Sequence, residues 1–307
     1  MQIKAADDRQ PHIRALRALL RRTDLPSLTR QRIEQEMRSV VVGEQAEKDD
    51  AYQIEFYTAK DPAVMTIHDL RISTGNRVAQ IDHLIITRLL EFWVCESKSF
   101  TKGVEINEHG EWSRIYDGQR LAILSPIEQN NRHIAVLSDL LRSRLMQLHA
   151  DLRAAARFKG VVLVSGGGTI KRPVGAAATH VEGLDGVGRA DQLITKINKS
   201  IEGRLPLHDT TLVDSRVIEG IARQLAALHA PPSDFTKKFG LSDVHPDSSS
   251  PRRNVRGSQR RKRRGFRCES CGDQVSGAVI EYCRDYAWLF GDSVLCVPCQ
   301  DDLFPYR

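Results

Sequence analysis

Residues 78–98, V-A-Q-I-D-H-L-I-I-T-R-L-L-E-F-W-V-C-E-S-K, constrain the fold more than any other stretch of the chain. Side chains alternate across a β-strand. Ile81, His83, Ile85 and Thr87 are therefore expected on one side, and Gln80, Asp82, Leu84 and Ile86 on the other. The return run, Phe92 to Lys98, is rich in aromatic and β-branched residues, as strands are. On it Phe92, Val94, Glu96 and Lys98 share a face. A three-residue loop at Arg88–Leu90 closes a hairpin that sets Asp82 opposite Glu96. Two carboxylates and an ammonium group then stand at one end of an apolar strand pair.

Two carboxylates about 4 Å apart repel by roughly 4 kcal/mol at an effective dielectric near 20. Either one of them takes up a proton, or a cation lies between them. Hard dications prefer carboxylate oxygens, and Mg²⁺ typically uses one or two carboxylates together with substrate phosphate. A lysine beside such an ion orients water or neutralises phosphate charge. The chemistry implied is metal-assisted hydrolysis of a phosphodiester. Glu96-Ser97-Lys98 alone does not establish it. In a chain with 39 acidic residues, chance supplies about one or two acidic-x-Lys triplets. The context of an apolar strand facing an aspartate gives the triplet its weight against a solvated strand end.

The chain of 307 residues accommodates one full-sized domain and a small one. Hydrophobic content of 41% and charged content of 27% describe a soluble globular protein. No run approaches the roughly 18 apolar residues that span a bilayer, and no apolar signal core opens the sequence. A cytoplasmic protein without membrane partners is expected. The net charge of +6 favours a polyanionic partner. That charge is concentrated: residues 252–267 hold nine basic residues and no acidic one, so the remainder is slightly acidic.

Elsewhere the pattern alternates helix and strand, as in a mixed sheet flanked by helices. Residues 8–22 read as a basic amphipathic helix and residues 27–50 as a second, with Leu28, Ile33, Met37, Val40, Val41 and Glu44 along one face. From the residues alone, Glu44 is a solvated helix glutamate. Residues 63–72 read as a strand; V-E-I-N and W-S-R-I-Y, within 104–124, read as two short ones. His68 and His83 read as structural rather than ligating, Cys95 as a small buried hydrophobe and Trp112 as a core anchor. Ser125-Pro126-Ile127-Glu128 opens a helix, with Ser125 as N-cap and Pro126 in the first turn. It is expected to run to about Leu148, with Gln129 near its positive end. Residues 159–164 read as a strand buried on both faces, and Ser165–Gly168 as a turn, since the frame of a phosphate loop is missing. Thr179–Val181 reads as a short strand, followed by helices near 190–202 and 213–229.

Residues 231–264, rich in Pro, Ser, Asp and Arg, lack apolar periodicity and read as a flexible linker whose basic half contacts phosphates without reading sequence. In the tail, Cys268-x-x-Cys271 and Cys296-x-x-Cys299 have the form of a four-thiolate zinc site, with Cys283 as a spare that could replace one ligand. Zinc supplies roughly 10–16 kcal/mol to the fold of a domain too small for a core of its own.

Taken in order, Gly43-Glu44 on a helix, Gln80-Ile81-Asp82-His83 on a strand, Glu96-Ser97-Lys98 on the next and Ser125-Pro126-Ile127-Glu128-Gln129 opening a helix resemble the nuclease-related domain, NERD, of the PD-(D/E)xK restriction-endonuclease-like group. The resemblance covers roughly residues 40–185. Gly103 and Trp112 also fall where the family tends to have Gly and Trp. The family's helix opening more often begins Asn-Pro, where this chain has Ser125-Pro126.

The resemblance implies an α/β (α+β) fold, a restriction-endonuclease-like mixed sheet flanked by helices. It implies a site of Glu44, Asp82, Glu96, Lys98 and Gln129, with Asp82 and Glu96 holding Mg²⁺ or Mn²⁺. The segment F-G-D-S-V-L-C-V-P-C-Q is similar to zinc-ribbon tails appended to such nucleases. The expected organisation is a basic helix at 1–26, the NERD-like domain at 27–230, the linker at 231–264 and a four-cysteine zinc ribbon at 265–307. The expected activity is Mg²⁺-dependent DNA hydrolysis. RNA hydrolysis, and a non-catalytic DNA-binding adaptor that keeps the fold, stay open as alternatives.

Overall fold

The apolar runs assemble into two sheets and six helices in the computed structural model, among the described residues. These are 1–116, 118–165, 167–204, 212–231, 239, 266–271, 273–276, 279–280, 283, 293–296 and 299. The strands are β1 (Gln2–Lys4), β2 (Val64–Thr74), β3 (Arg77–Thr87), β4 (Glu91–Ser99), β5 (Gly103–Ile106), β6 (Trp112–Tyr116), β7 (Gln119–Ile123), β8 (Arg157–Ser165), β9 (Thr169–Lys171) and β10 (Val187–Gly188). The helices are α1 (Gln10–Leu20), α2 (Ser27–Thr58), α3 (Pro126–Arg142), α4 (Ala150–Ala155), α5 (Ala190–Arg204) and α6 (Ser215–Ala227). Two compact units result, residues 1–9 with 41–231, and residues 10–40 with 232–307. Of the linker expected at 231–264, only Pro231 and Phe239 lie within the described residues.

The first unit is built on a six-stranded mixed sheet in the order β1-β2-β3-β4-β8-β10. Strands β2, β3 and β4 are antiparallel, and β8 joins β4 in parallel, pairing Glu96 with Val162 and Lys98 with Val164. One face packs on α3 and α6 through Ile67, Leu84, Phe92, Leu137 and Ile221. The other packs on α5 and the second half of α2 through Ile54, Ile85, Trp93, Cys95 and Leu193. A second sheet, β7-β6-β5-β9, is anchored by fully buried Trp112 and by Val104.

The hairpin has its three-residue loop at Arg88–Leu90, and β3 pairs with β4 from Ile86↔Phe92 to His83↔Cys95. The alternation slips, however. Ile81 and Ala79 pack in the same cluster as Leu84 and Ile86 instead of opposite them. The slip falls at Asp82, beside Asp69 of β2, whose backbone takes a left-handed φ of 52°. That conformation is unusual within a strand and turns the side chains that follow.

Several boundaries differ from the sequence expectations. α2 continues to Thr58. α3 stops at Arg142 because Ser143 caps it, its N–H and hydroxyl both bonding to the Leu140 carbonyl. Gly175–His180 is a 3₁₀ turn, not the start of a strand: Gly175 has φ 64°, and the Thr179 hydroxyl closes the turn on the Ala176 carbonyl at 2.7 Å. No helix among the described residues is long and apolar enough to cross a membrane.

Candidate active site

Asp82 belongs to β3, Glu96 and Lys98 to β4, and Gln129 to the first turn of α3. The β3–β4 register ends at His83↔Cys95, one residue short of Asp82 and Glu96, and the Glu96 charge reaches Asp82. The Asp82 Oδ2 accepts the Ser97 N–H at 2.8 Å. Lys98 Nζ donates to Glu96 Oε1 at 2.6 Å, and Gln129 Nε2 donates to the same oxygen at 2.6 Å. Ser125 accepts the Glu128 N–H at 3.3 Å and fixes the start of α3, so Gln129 reaches back over β4. Four of the five residues expected at the catalytic site therefore converge.

The fifth, Glu44, lies on α2, and its Oε1 is 2.6 Å from Lys48 Nζ. Glu47, one turn further on, is the α2 carboxylate whose charge reaches both Asp82 and Glu96. It is paired with Arg9, which also lies 3.8 Å from Asp69. His133 stands one turn after Gln129 on α3, with Nδ1 3.4 Å from Glu96 Oε2. Neither Glu47 nor His133 was read from the sequence. The four-residue spacing Gln129-x-x-x-His133, which stacks two polar groups on one helix face, is the signal that could have found the second.

The electrostatics follow from the crowding. Burial pushes the Asp82 carboxyl well above the usual range, and Glu96 and Glu47 push it further. Glu96 is held the other way: burial would raise it, but His133 and Lys98 bring it below the ordinary carboxylate value. Two carboxylates sharing a site are expected to part in this way. Burial raises Glu47 to about 7, opposed by Arg9 and supported by Asp69 and Glu96.

The family model of the nuclease-related domain matches residues 42–165. Those residues are a nuclease-related domain. No curated protein and no solved structure matches the chain. The nuclease-related domain contains Glu44, Glu47, Asp82, Glu96, Lys98, Gln129 and His133. A cavity of about 690 Å³ beside β8, lined by Trp93, Asn130, Lys159, Lys196 and Lys199, includes none of them.

Outside the nuclease-related domain, the ligating atoms of Cys268, Cys271, Cys296 and Cys299 lie within 4.8 Å of one another, a set able to hold a zinc ion. The turn is knit by Cys268 N–H to the Asp273 carbonyl at 2.7 Å and Glu269 N–H to the Val294 carbonyl at 2.9 Å. Burial would raise the Cys268 thiol, but backbone N–H groups of Cys271, Cys296 and Ser270 hold it at about 6. That favours the thiolate, the form a metal binds, at Cys268 alone, since the Cys271 and Cys299 thiols beside it are pushed up. Cys283 is buried and exchanges hydrogen bonds with the Leu295 backbone, outside the set of four.

Proposed function

We propose that the nuclease-related domain hydrolyses DNA phosphodiester bonds with the help of Mg²⁺ or Mn²⁺. The observation that supports this most directly is the meeting of Asp82 and Glu96 with Lys98 at one strand end, under the added charge of Glu47. The donor set fits a hard dication. Glu96 Oε2 is buried without a hydrogen-bond partner, and Asp82 is destabilised in its charged form by two neighbouring carboxylates. A cation would relieve both.

Asp82 and Glu96 would hold the ion. When bound, such an ion polarises the phosphodiester and eases deprotonation of an attacking water. Lys98, tied to Glu96 at 2.6 Å, keeps a positive charge at the same edge, where it can orient water or offset charge on the phosphate in the transition state. Gln129 fixes Oε1 of Glu96, and His133 stands 3.4 Å from Oε2 without a hydrogen bond to it. Glu47, poised at about 7, can hold or release a proton near neutral pH. The basic run at 252–267 would add affinity for the phosphate backbone, and a zinc-loaded tail would present a folded surface beside it.

The test is cleavage of linear, nicked, branched and single-stranded DNA in Mg²⁺ or Mn²⁺, beside Asp82→Ala and Lys98→Ala. The wild type should cut at least one substrate, and each variant should lose about 10²-fold or more while staying folded. Full-rate cutting by either variant would remove the mechanism. DNA bound with no cleavage in either metal would favour the adaptor reading.

A further inference from the structure

Ser97 stands between Glu96 and Lys98 in the sequence, yet its side chain lies on the opposite face of the sheet, in a chain of buried polar groups that the proposed mechanism does not use. Its hydroxyl donates to Asp50 Oδ2 on α2 at 2.7 Å and lies 3.1 Å from His83 Nε2 on β3. His83 and His68 meet Nδ1 to Nδ1 at 2.8 Å, and His68 Nε2 is 2.9 Å from Glu55 Oε1, back on α2. Thr66 donates a further bond to Glu55. His68 and His83 are each 1% exposed and Asp50 3%.

The chain thus leaves α2 at Asp50, crosses β4, β3 and β2, and returns to α2 at Glu55. Burying polar groups is costly unless each one is bonded, and apolar residues would fill the same space with less risk. What the loop provides is a fixed position. It pins α2 to three strands immediately after Glu47, which lies one turn before Asp50. The same Ser97 also holds Asp82 through its backbone N–H. One residue therefore ties together the strand that bears Glu96 and Lys98, the Asp82 carboxylate and the helix that bears Glu47.

We propose that Ser97 is a positioning residue for the metal site, with Asp50 and His83 as the partners that fix its hydroxyl. The proposal rests on reading the site as that of a metal-dependent nuclease. Groups that orient metal ligands typically contribute 10–100-fold in metal affinity or activity. Ser97→Ala keeps the backbone bond to Asp82 and removes only the tie to Asp50 and His83.

The experiment measures Mn²⁺ affinity by calorimetry, kcat and KM for DNA, and Tm, on the full chain. Ser97→Ala should bind Mn²⁺ 10–100-fold more weakly and lower kcat by a similar factor, with KM within about twofold. Ser97→Thr, which restores a hydroxyl, should recover most of both. Ile54→Val, on the same buried face of α2 but outside the chain, should lower Tm and leave metal affinity and kcat alone. Asp50→Ala, which removes the acceptor for the Ser97 hydroxyl, gives the same reading should Ser97→Ala not fold. Wild-type metal affinity and kcat in Ser97→Ala, or equal losses in Ile54→Val, would overturn the positioning role while the nuclease reading stands. A wild type that neither binds Mn²⁺ nor cuts, and matches Asp82→Asn in both, would overturn the nuclease reading and the positioning role with it.

Discussion

Asp82 and Asp50 are carboxylates that the fold makes costly to ionise, each for a different reason. Asp82 is pushed up by burial and by Glu96 and Glu47, whereas burial alone dominates at Asp50, which is raised to about 6 from 3.8. A raised carboxyl binds its proton more tightly folded than unfolded, so its contribution to stability falls as pH climbs from the unfolded to the folded value. For Asp50 the window runs from about 4 to about 6, and the loss is about 3 kcal/mol. Asp50→Asn should match the wild type at pH 4 and be more stable at pH 8 by up to about 3 kcal/mol, as read from urea unfolding at both values. A gap of the same size at pH 4 would contradict the burial argument. Asp82→Asn should likewise raise Tm in chelator at neutral pH. Mg²⁺ should then raise Tm in the wild type and leave the variant unmoved, because only the wild type retains the full donor set. A structural carboxylate would show the reverse pattern, losing stability on substitution and ignoring the ion.

At the level of elements, close backbone approaches matter as much as apolar pattern. Gly168 precedes β9, and a Cβ there would sit 2.1 Å from the Phe100 carbonyl oxygen and 2.4 Å from the Gly103 nitrogen. Neighbouring Gly167 has φ 76° but open space around it. Gly168→Ala should therefore cost about 3 kcal/mol through forced backbone movement, and Gly167→Ala only about 1 kcal/mol through its left-handed φ. Equal losses in thermal unfolding would show that the β5–β9 contact is not tight. The central hairpin was legible because period-two alternation and loop length are local properties of the chain. The slip at Asp82 was not, because it depends on Asp69 holding a left-handed φ beside it, with Gln80 and Arg9 as partners for its carboxylate. The same limit hid Glu47. The inward face of α2 runs through half-buried Gly43 and Glu47 to buried Asp50 and Ile54, and two acids on such a stripe read as its end. Only the tertiary partners, Arg9 for Glu47 and Ser97 for Asp50, explain how the helix carries these acids and continues to Thr58.

On the scale of the whole molecule, charge and chemistry are separated along the chain. The carboxylates of the proposed active site lie within residues 42–165, while nine basic residues gather at 252–267, beside the first cysteine pair. The cysteine pairs were legible from spacing alone, since two tight C-x-x-C turns suffice to define a thiolate set. The place of Cys283 was not, because its partner is the Leu295 backbone. If the basic run contacts phosphates, it displaces counterions, and each contact contributes about −0.9 to the slope of log K against log salt. Replacing the five consecutive basic residues 260–264 by glutamine should weaken DNA binding at low salt and flatten that slope by up to about 4.5. At saturating DNA and Mg²⁺, kcat should hold, since none of the five belongs to the carboxylate site. Fluorescence anisotropy across a salt series, paired with single-turnover cleavage, separates the two terms. An unchanged slope would mean that the run does not touch DNA. A fall in kcat at saturation would mean that it orders the substrate at the carboxylates rather than merely recruiting it.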